Sequence, residues 1–187
     1  MKKTNLFLLG IVLFLASCNK EPQPSLEIPQ ETMDKVEFVF VPYDENNQLR
    51  TDTLRYSYDL FHESDAAYAL EKGRKYLFLI EIFNAEEKVH DEIEQEGEEH
   101  QFFFFTELED FFISFSYADE DSNGNAIGLK NIIELGENES SSNFHIVLRH
   151  GLDKFHPNAQ VYDDKNYRDA GGSDDLNLSV LLHSVAF

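Results

Sequence analysis

From residue 35 to the end, the chain is built on a period of two. Val36, Phe38 and Phe40 alternate with Glu37, Val39 and Val41. Pro42 follows, and with no N–H to give to a ladder it closes the run. Leu49 to Tyr58 reads as a second, more polar strand. Tyr76, Phe78, Ile80 and Ile82 form one face of a third, with Leu77, Leu79, Glu81 and Phe83 opposite. Gln101 to Thr106 carries four consecutive Phe, which predicts a strand buried on both faces. Phe111, Ile113, Phe115 and Tyr117 alternate with Phe112, Ser114 and Ser116. Phe144, Ile146 and Leu148 alternate with His145, Val147 and Arg149, and Leu176, Leu178, Val180 and Leu182 with Asn177, Ser179, Leu181 and His183. About seven short strands separated by polar turns predict an all-β fold, an antiparallel Ig-like or Greek-key β-sandwich over 35–187.

Helical periodicity is scarce. Ser64 to Lys72 reads as one or two helical turns with Ser64 as N-cap, and Glu86 to Glu96 as another short one. Glu137 to Ser142 reads as a polar loop. The stretch Leu70-Glu71-Lys72-Gly73-Arg74-Lys75-Tyr76 resembles the L-x-x-G-x-x-Y opening of strands in immunoglobulin-like and fibronectin-like domains. There, Gly allows the turn and Tyr packs the corner.

The alternation is absent before residue 35. Met1 to Asn5 is a short basic start, and Leu6 to Ala16 is an apolar run too short to span a bilayer as a mature helix. It ends in Leu15-Ala16-Ser17-Cys18, which resembles the lipobox of bacterial lipoproteins, and Cys18 is the single cysteine of the chain. The resemblance implies a signal peptide over 1–17, removed on export, and Cys18 carrying the lipid, palmitate included. Several acyl chains give durable anchoring, because each buried methylene adds roughly 0.8 kcal/mol. Residues 18–34 hold Pro22, Pro24 and Pro29 without apolar periodicity, and read as an extended tether.

Charge narrows the partners. The chain carries 36 Asp and Glu against 15 Lys and Arg, a net charge of −21. Loss of Lys2 and Lys3 with the signal would make the mature protein more acidic still. A nucleic-acid partner is unexpected, since phosphate binding needs a basic patch. One cysteine leaves no internal disulfide, Cys-based zinc site or dithiol chemistry. No G-x-S-x-G, H-E-x-x-H or phosphate-binding Gly loop is present. The expectation is therefore a protein that is not an enzyme.

Three constellations could carry chemistry. Asp119-Glu120-Asp121-Ser122-Asn123-Gly124 has the D-x-D-x-N-G spacing that brings alternate side-chain oxygens onto one point, as in calcium loops. Lys130 stands where an EF-hand would need its bidentate acid, so the choice is between a Ca2+-stiffened β-loop through Asp119, Asp121 and Asn123, with Glu134 as an extra ligand, and a plain hairpin turn. Glu98-Glu99-His100 at the mouth of the Phe strand offers carboxylate and imidazole to Zn2+ or another borderline metal. A further ligand would come from His90, His145 or His150; the alternative is a solvated acidic loop. His145, Arg149 and His150 lie on one strand, with His145 and Arg149 on one face and His150 on the other. They suit an anionic ligand or local ion pairs.

Taken together, Glu98-Glu99-His100-Gln101-Phe102-Phe103-Phe104, Asp119-x-Asp121-x-Asn123-Gly124-x-x-Ile127-Gly128-Leu129, Val147-Leu148-Arg149-His150 and Gly171-Gly172-Ser173-Asp174-Asp175-Leu176-Asn177 resemble a family of uncharacterised Bacteroidota lipoproteins. The resemblance implies an outer-membrane, lipid-anchored β-rich protein, facing periplasm or cell surface, often encoded near TonB-dependent receptors. It implies a binding module accessory to uptake of a metal or metal complex, with a TonB-dependent receptor as partner. The other expectation is a structural or adhesive surface lipoprotein with a calcium-stiffened loop and a protein partner.

Overall fold

The computed structural model describes residues 33–62, 67–85 and 87–187. The signal segment, Cys18, the prolines of the tether and Ser64 lie outside these residues. The first elements are β1 (Lys35–Pro42), β2 (Leu54–Asp59), β3 (Ala67–Glu71), β4 (Lys75–Asn84), β5 (Glu87–Lys88) and a six-residue helix, α1 (His90–Gln95). They are followed by β6 (His100–Thr106), β7 (Phe112–Tyr117), β8 (Lys130–Leu135), β9 (Ser140–His150) and β10 (Ser173–Val185).

One sheet has the order β2-β1-β4-β8-β7, with β5 beside β4; the other has the order β3-β10-β9-β6. The chain passes between the sheets at β2–β3, β3–β4, β5–β6 (through α1), β6–β7 and β8–β9, so each sheet is stitched to the other and the fold is an all-β sandwich. Both sheets turn their alternating apolar positions onto one core. Phe38, Phe40 and Phe78 come from one side; Phe102, Phe104 and Phe144 come from the other. Phe104 is the hub, with ring centroids 6.0 Å from Phe78, 4.9 Å from Phe115 and 5.8 Å from Phe144.

The four-Phe strand serves two cores. Phe102 and Phe104 face the other sheet, whereas Phe103 points outward into a smaller cluster with Val147, Leu152, Ala159, Tyr167 and Ala170, against which Phe105 packs. That cluster is the underside of the long connection between His150 and Ser173, folded over the outer face of β6 and β9. No helix among the described residues is long and apolar enough to cross a membrane.

Several expectations are corrected. The described residues form ten strands rather than about seven. The segment expected as helix from Ser64 to Lys72 contains β3, which pairs with β10 in parallel, so the sandwich is not wholly antiparallel. Tyr68 and Leu70 are buried at period two, and sheet pairing overrides a weak helical propensity. The second strand starts at Leu54. Leu49 instead closes a turn in which Asp44 accepts the N–H groups of Asn46 and Gln48 at 2.9 and 2.8 Å. Ile113 is exposed rather than inward, because a bulge between Phe112 and Ser114 puts Phe112 on the core side, 5.3 Å from Phe144. β9 already begins at Ser140, inside the stretch expected as loop. The L-x-x-G-x-x-Y corner is built as a turn: Gly73 has φ of 62°, and the Tyr76 hydroxyl accepts the Glu71 N–H at 2.9 Å.

Candidate metal centre

β6 and β9 run antiparallel in a register that sets His100 directly opposite His150. Phe102 and Leu148 are the next inward pair, so the two imidazoles continue the core face to the end of the sandwich. Their rings stack with centroids 4.5 Å apart. The third member is Asp175. Alternation from Leu176 and Leu178 would place Asp175 outward with Asn177. A bulge between Asp174 and Leu176 in β10 inverts it and turns its carboxylate onto the histidines. Asp175 Oδ2 lies 3.6 Å from His100 Nε2 and 3.4 Å from His150 Nδ1. Ligand atoms of His100, His150 and Asp175 all fall within 4.8 Å of one another. The side chains of His100 and Asp175 are buried, at 0% and 2% exposure, and His150 is nearly so.

The outer nitrogens explain why this cluster points to a cation. His100 Nδ1 is 3.1 Å from the Glu96 carbonyl oxygen, which can only accept, so that nitrogen carries the hydrogen. His150 Nε2 is 3.2 Å from the Glu99 carboxylate and carries the hydrogen for the same reason. In their neutral forms both rings therefore aim a lone pair at Asp175, and three acceptors converge on one buried point. A cation placed among them, a proton or a metal ion, would satisfy all three. Ligands bound at about 2.0–2.1 Å by a tetrahedral ion lie about 3.4 Å apart, close to the spacings from Asp175 to the two rings. Imidazoles oriented by a carbonyl and a carboxylate behind them follow the usual outer-sphere arrangement of metal-ligating histidine.

The other residues singled out in the sequence fall elsewhere. Glu99 sits behind His150 rather than among the converging atoms. Glu98 points away and accepts a short hydrogen bond from Ser122 Oγ. His90 faces Asp91 at 3.1 Å, and His145 lies on the outer face of β9, 3.5 Å from Glu107. Arg149 is buried and structural. It ion-pairs with Asp174 at 2.6 Å and donates to the carbonyls of Gly171 and Gly172, so the anion-binding role has no support in its geometry. Burial alone would raise the Asp174 carboxyl, but Arg149 and Arg168 outweigh it and hold the pKa below its ordinary value.

The D-x-D-x-N-G segment forms a hairpin tip, closed by the Glu120–Ala126 bridge and by Gly124 at φ of 81°. Asp119 accepts the N–H groups of Gly128 and Lys130 at 2.8 and 3.0 Å. Asp121 Oδ1 accepts those of Asn123 and Asn125, both at 2.9 Å, and its Oδ2 meets the Lys154 ammonium at 3.0 Å. Burial would raise Asp121, but the Asn125 N–H and Lys154 outweigh it and hold it low. Burial raises Asp119 despite its two N–H donors. The Asp119 and Asp121 oxygens are thus spent on the loop's own backbone and on a lysine, Asn123 enters through its backbone N–H, and Glu134 lies on β8 opposite Lys75, outside the loop.

Sequence reading named His100 and His150 but missed Asp175. Only the Gly171-Gly172 pair beside it hinted at an irregular ladder, and a bulge has no signature in hydrophobic periodicity. Comparison of this chain with protein-family models, with curated proteins and with solved structures found no match.

Proposed function

We propose that this protein is a lipid-anchored, non-enzymatic binding module of the bacterial outer membrane that captures a transition-metal ion, zinc first, as accessory to a TonB-dependent uptake system. The observation that carries the metal reading is the convergence of His100 Nε2, His150 Nδ1 and Asp175 Oδ2, with both rings oriented from behind. Two imidazoles and one carboxylate suit Zn2+, and three protein ligands leave a fourth position for water or a donor atom of an incoming metal complex. The anchor and the envelope location rest on the lipobox at Cys18 and on the family resemblance. The acidic surface would raise the local concentration of cations around the site.

The test is calorimetry and thermal unfolding of the full-length protein, purified in detergent and stripped with chelator, against zinc, copper, iron and calcium. Zinc at a hundred times its dissociation constant should add about 2.7 kcal/mol of stability. The gain should vanish in His100→Ala and in Asp175→Asn. Calcium should add nothing, because the Asp119 and Asp121 oxygens are already engaged. No response to any transition metal would end this reading and return the structural or adhesive role. A calcium response lost in Asp121→Ala would favour the calcium-stiffened alternative.

A further inference from the structure

Lys154 is buried, with 2% of its side chain exposed, and its ammonium is fully engaged. Nζ donates to the Gly97 carbonyl at 2.6 Å and to the His100 carbonyl at 3.0 Å, and it faces the Asp121 carboxylate at 3.0 Å. An ammonium has three hydrogens to give, and here three oxygens receive them. Those oxygens come from two separate segments. Asp121, itself 1% exposed, belongs to the hairpin with calcium-like spacing. Gly97 and His100 bracket the turn between α1 and β6.

That turn is the frame of the histidine cluster. Glu96 supplies the carbonyl that orients His100, and Glu99 supplies the carboxylate that orients His150. The Glu99 carbonyl also accepts the Gly151 N–H at 2.8 Å, tying the turn to the end of β9. Lys154 follows four residues after His150, so it reaches back from the end of β9 and pins the start of β6 from behind.

We infer that Lys154 is the resident cation of the Asp121 hairpin and the positioning residue of the His100–His150–Asp175 site. Of the hairpin's calcium-like carboxylates, Asp121 gives one oxygen to the tethered ammonium, and Asp119 gives both of its oxygens to backbone N–H groups. Through Gly97 and His100 that ammonium fixes the turn, and the turn fixes which nitrogen of His100 faces Asp175. The inference rests on the metal-capture reading for its consequence, but not for its geometry.

Changing one partner alone to an apolar residue would strand a buried charge, so the test neutralises both, with Lys154→Met combined with Asp121→Asn in the full-length protein. Zinc affinity should fall about 10- to 100-fold, the usual effect of losing an orienting group behind a ligand. The cobalt-substituted form should show an altered visible spectrum, which a purely structural role would leave unchanged. In the metal-free protein, nitrogen NMR should show the His100 ring passing from one fixed tautomer to a mixture. Asp121→Asn alone, which leaves the ammonium on its two carbonyls, is the milder arm. It removes the countercharge of a buried ammonium, so it should cost stability, weaken zinc less than the double change and still shift the His100 resonances. Unchanged zinc affinity together with an unchanged His100 tautomer would overturn the inference. Absence of zinc binding in the unsubstituted protein would overturn the metal reading alone, since the tautomer measurement needs no metal.

Discussion

At the scale of single residues, two adjacent glycines separate backbone freedom from space. Gly171 and Gly172 both have positive φ, of 83° and 74°. A Cβ on Gly171 would meet nothing within 4 Å, whereas one on Gly172 would collide with the His150 carbonyl oxygen. At φ of 83° and ψ of −163° Gly171 occupies a region that essentially only glycine adopts, so Gly171→Ala should cost the backbone strain alone, about 1–3 kcal/mol. Gly172→Ala should cost clearly more in urea unfolding and also weaken zinc, because the strand carrying Asp175 must move away from His150. Equal costs would show that the close approach is not what requires glycine. Tyr76 makes a pH prediction of the same kind. Burial pushes its hydroxyl up to about 12 from the ordinary 10.0, although the Glu71 N–H it accepts pulls the other way. The folded state thus holds the proton more tightly than the unfolded chain. Its contribution is complete below pH 10 and is lost as the pH rises through about 12. Tyr76→Phe, which cannot ionise, should show a smaller fall in stability over that interval when unfolding is followed as a function of pH.

At the scale of elements, β6 is one strand with two jobs. Phe104 holds the two sheets together, so Phe104→Ala should lower global stability by about 3–5 kcal/mol. Phe103 is equally buried but faces the cluster beneath the His150–Ser173 connection. Phe103→Ala should loosen that connection first, so limited proteolysis should cut within 151–172 before the sandwich unfolds. Cleavage elsewhere, or none until global unfolding, would mean that the smaller cluster is not a separate unit of stability. The bulges are the other decisive feature of the elements. In β7 a bulge exchanges Phe112 for Ile113 at the core; in β10 one swings Asp175 from the outer face to the histidines. Each reverses what strict alternation along the strand predicts.

At the scale of the whole molecule, the net charge of −21 acts on the approach of ions rather than on the fold. If the site takes up Zn2+, its association rate should fall as salt is added while the dissociation rate stays nearly constant, which stopped-flow mixing would resolve. Attachment is a separate matter: palmitate labelling in a bacterial host should be lost in Cys18→Ser, and labelling that persists would refute the lipobox reading. By itself the sequence determined the all-β class, both faces of the Phe strand, the L-x-x-G-x-x-Y corner and the histidines worth inspecting. These depend on local period and composition, which neighbouring residues carry together. Only the tertiary structure decided that Ala67–Glu71 is a strand, that Asp121 is met by Lys154 and that His100, His150 and Asp175 converge. Each of these depends on ladder register or on partners far apart in the chain. A slip of one residue, or a bulge that inserts one, changes the face on which a side chain emerges. Hydrophobic periodicity records which positions are apolar, but not which strand lies beside them.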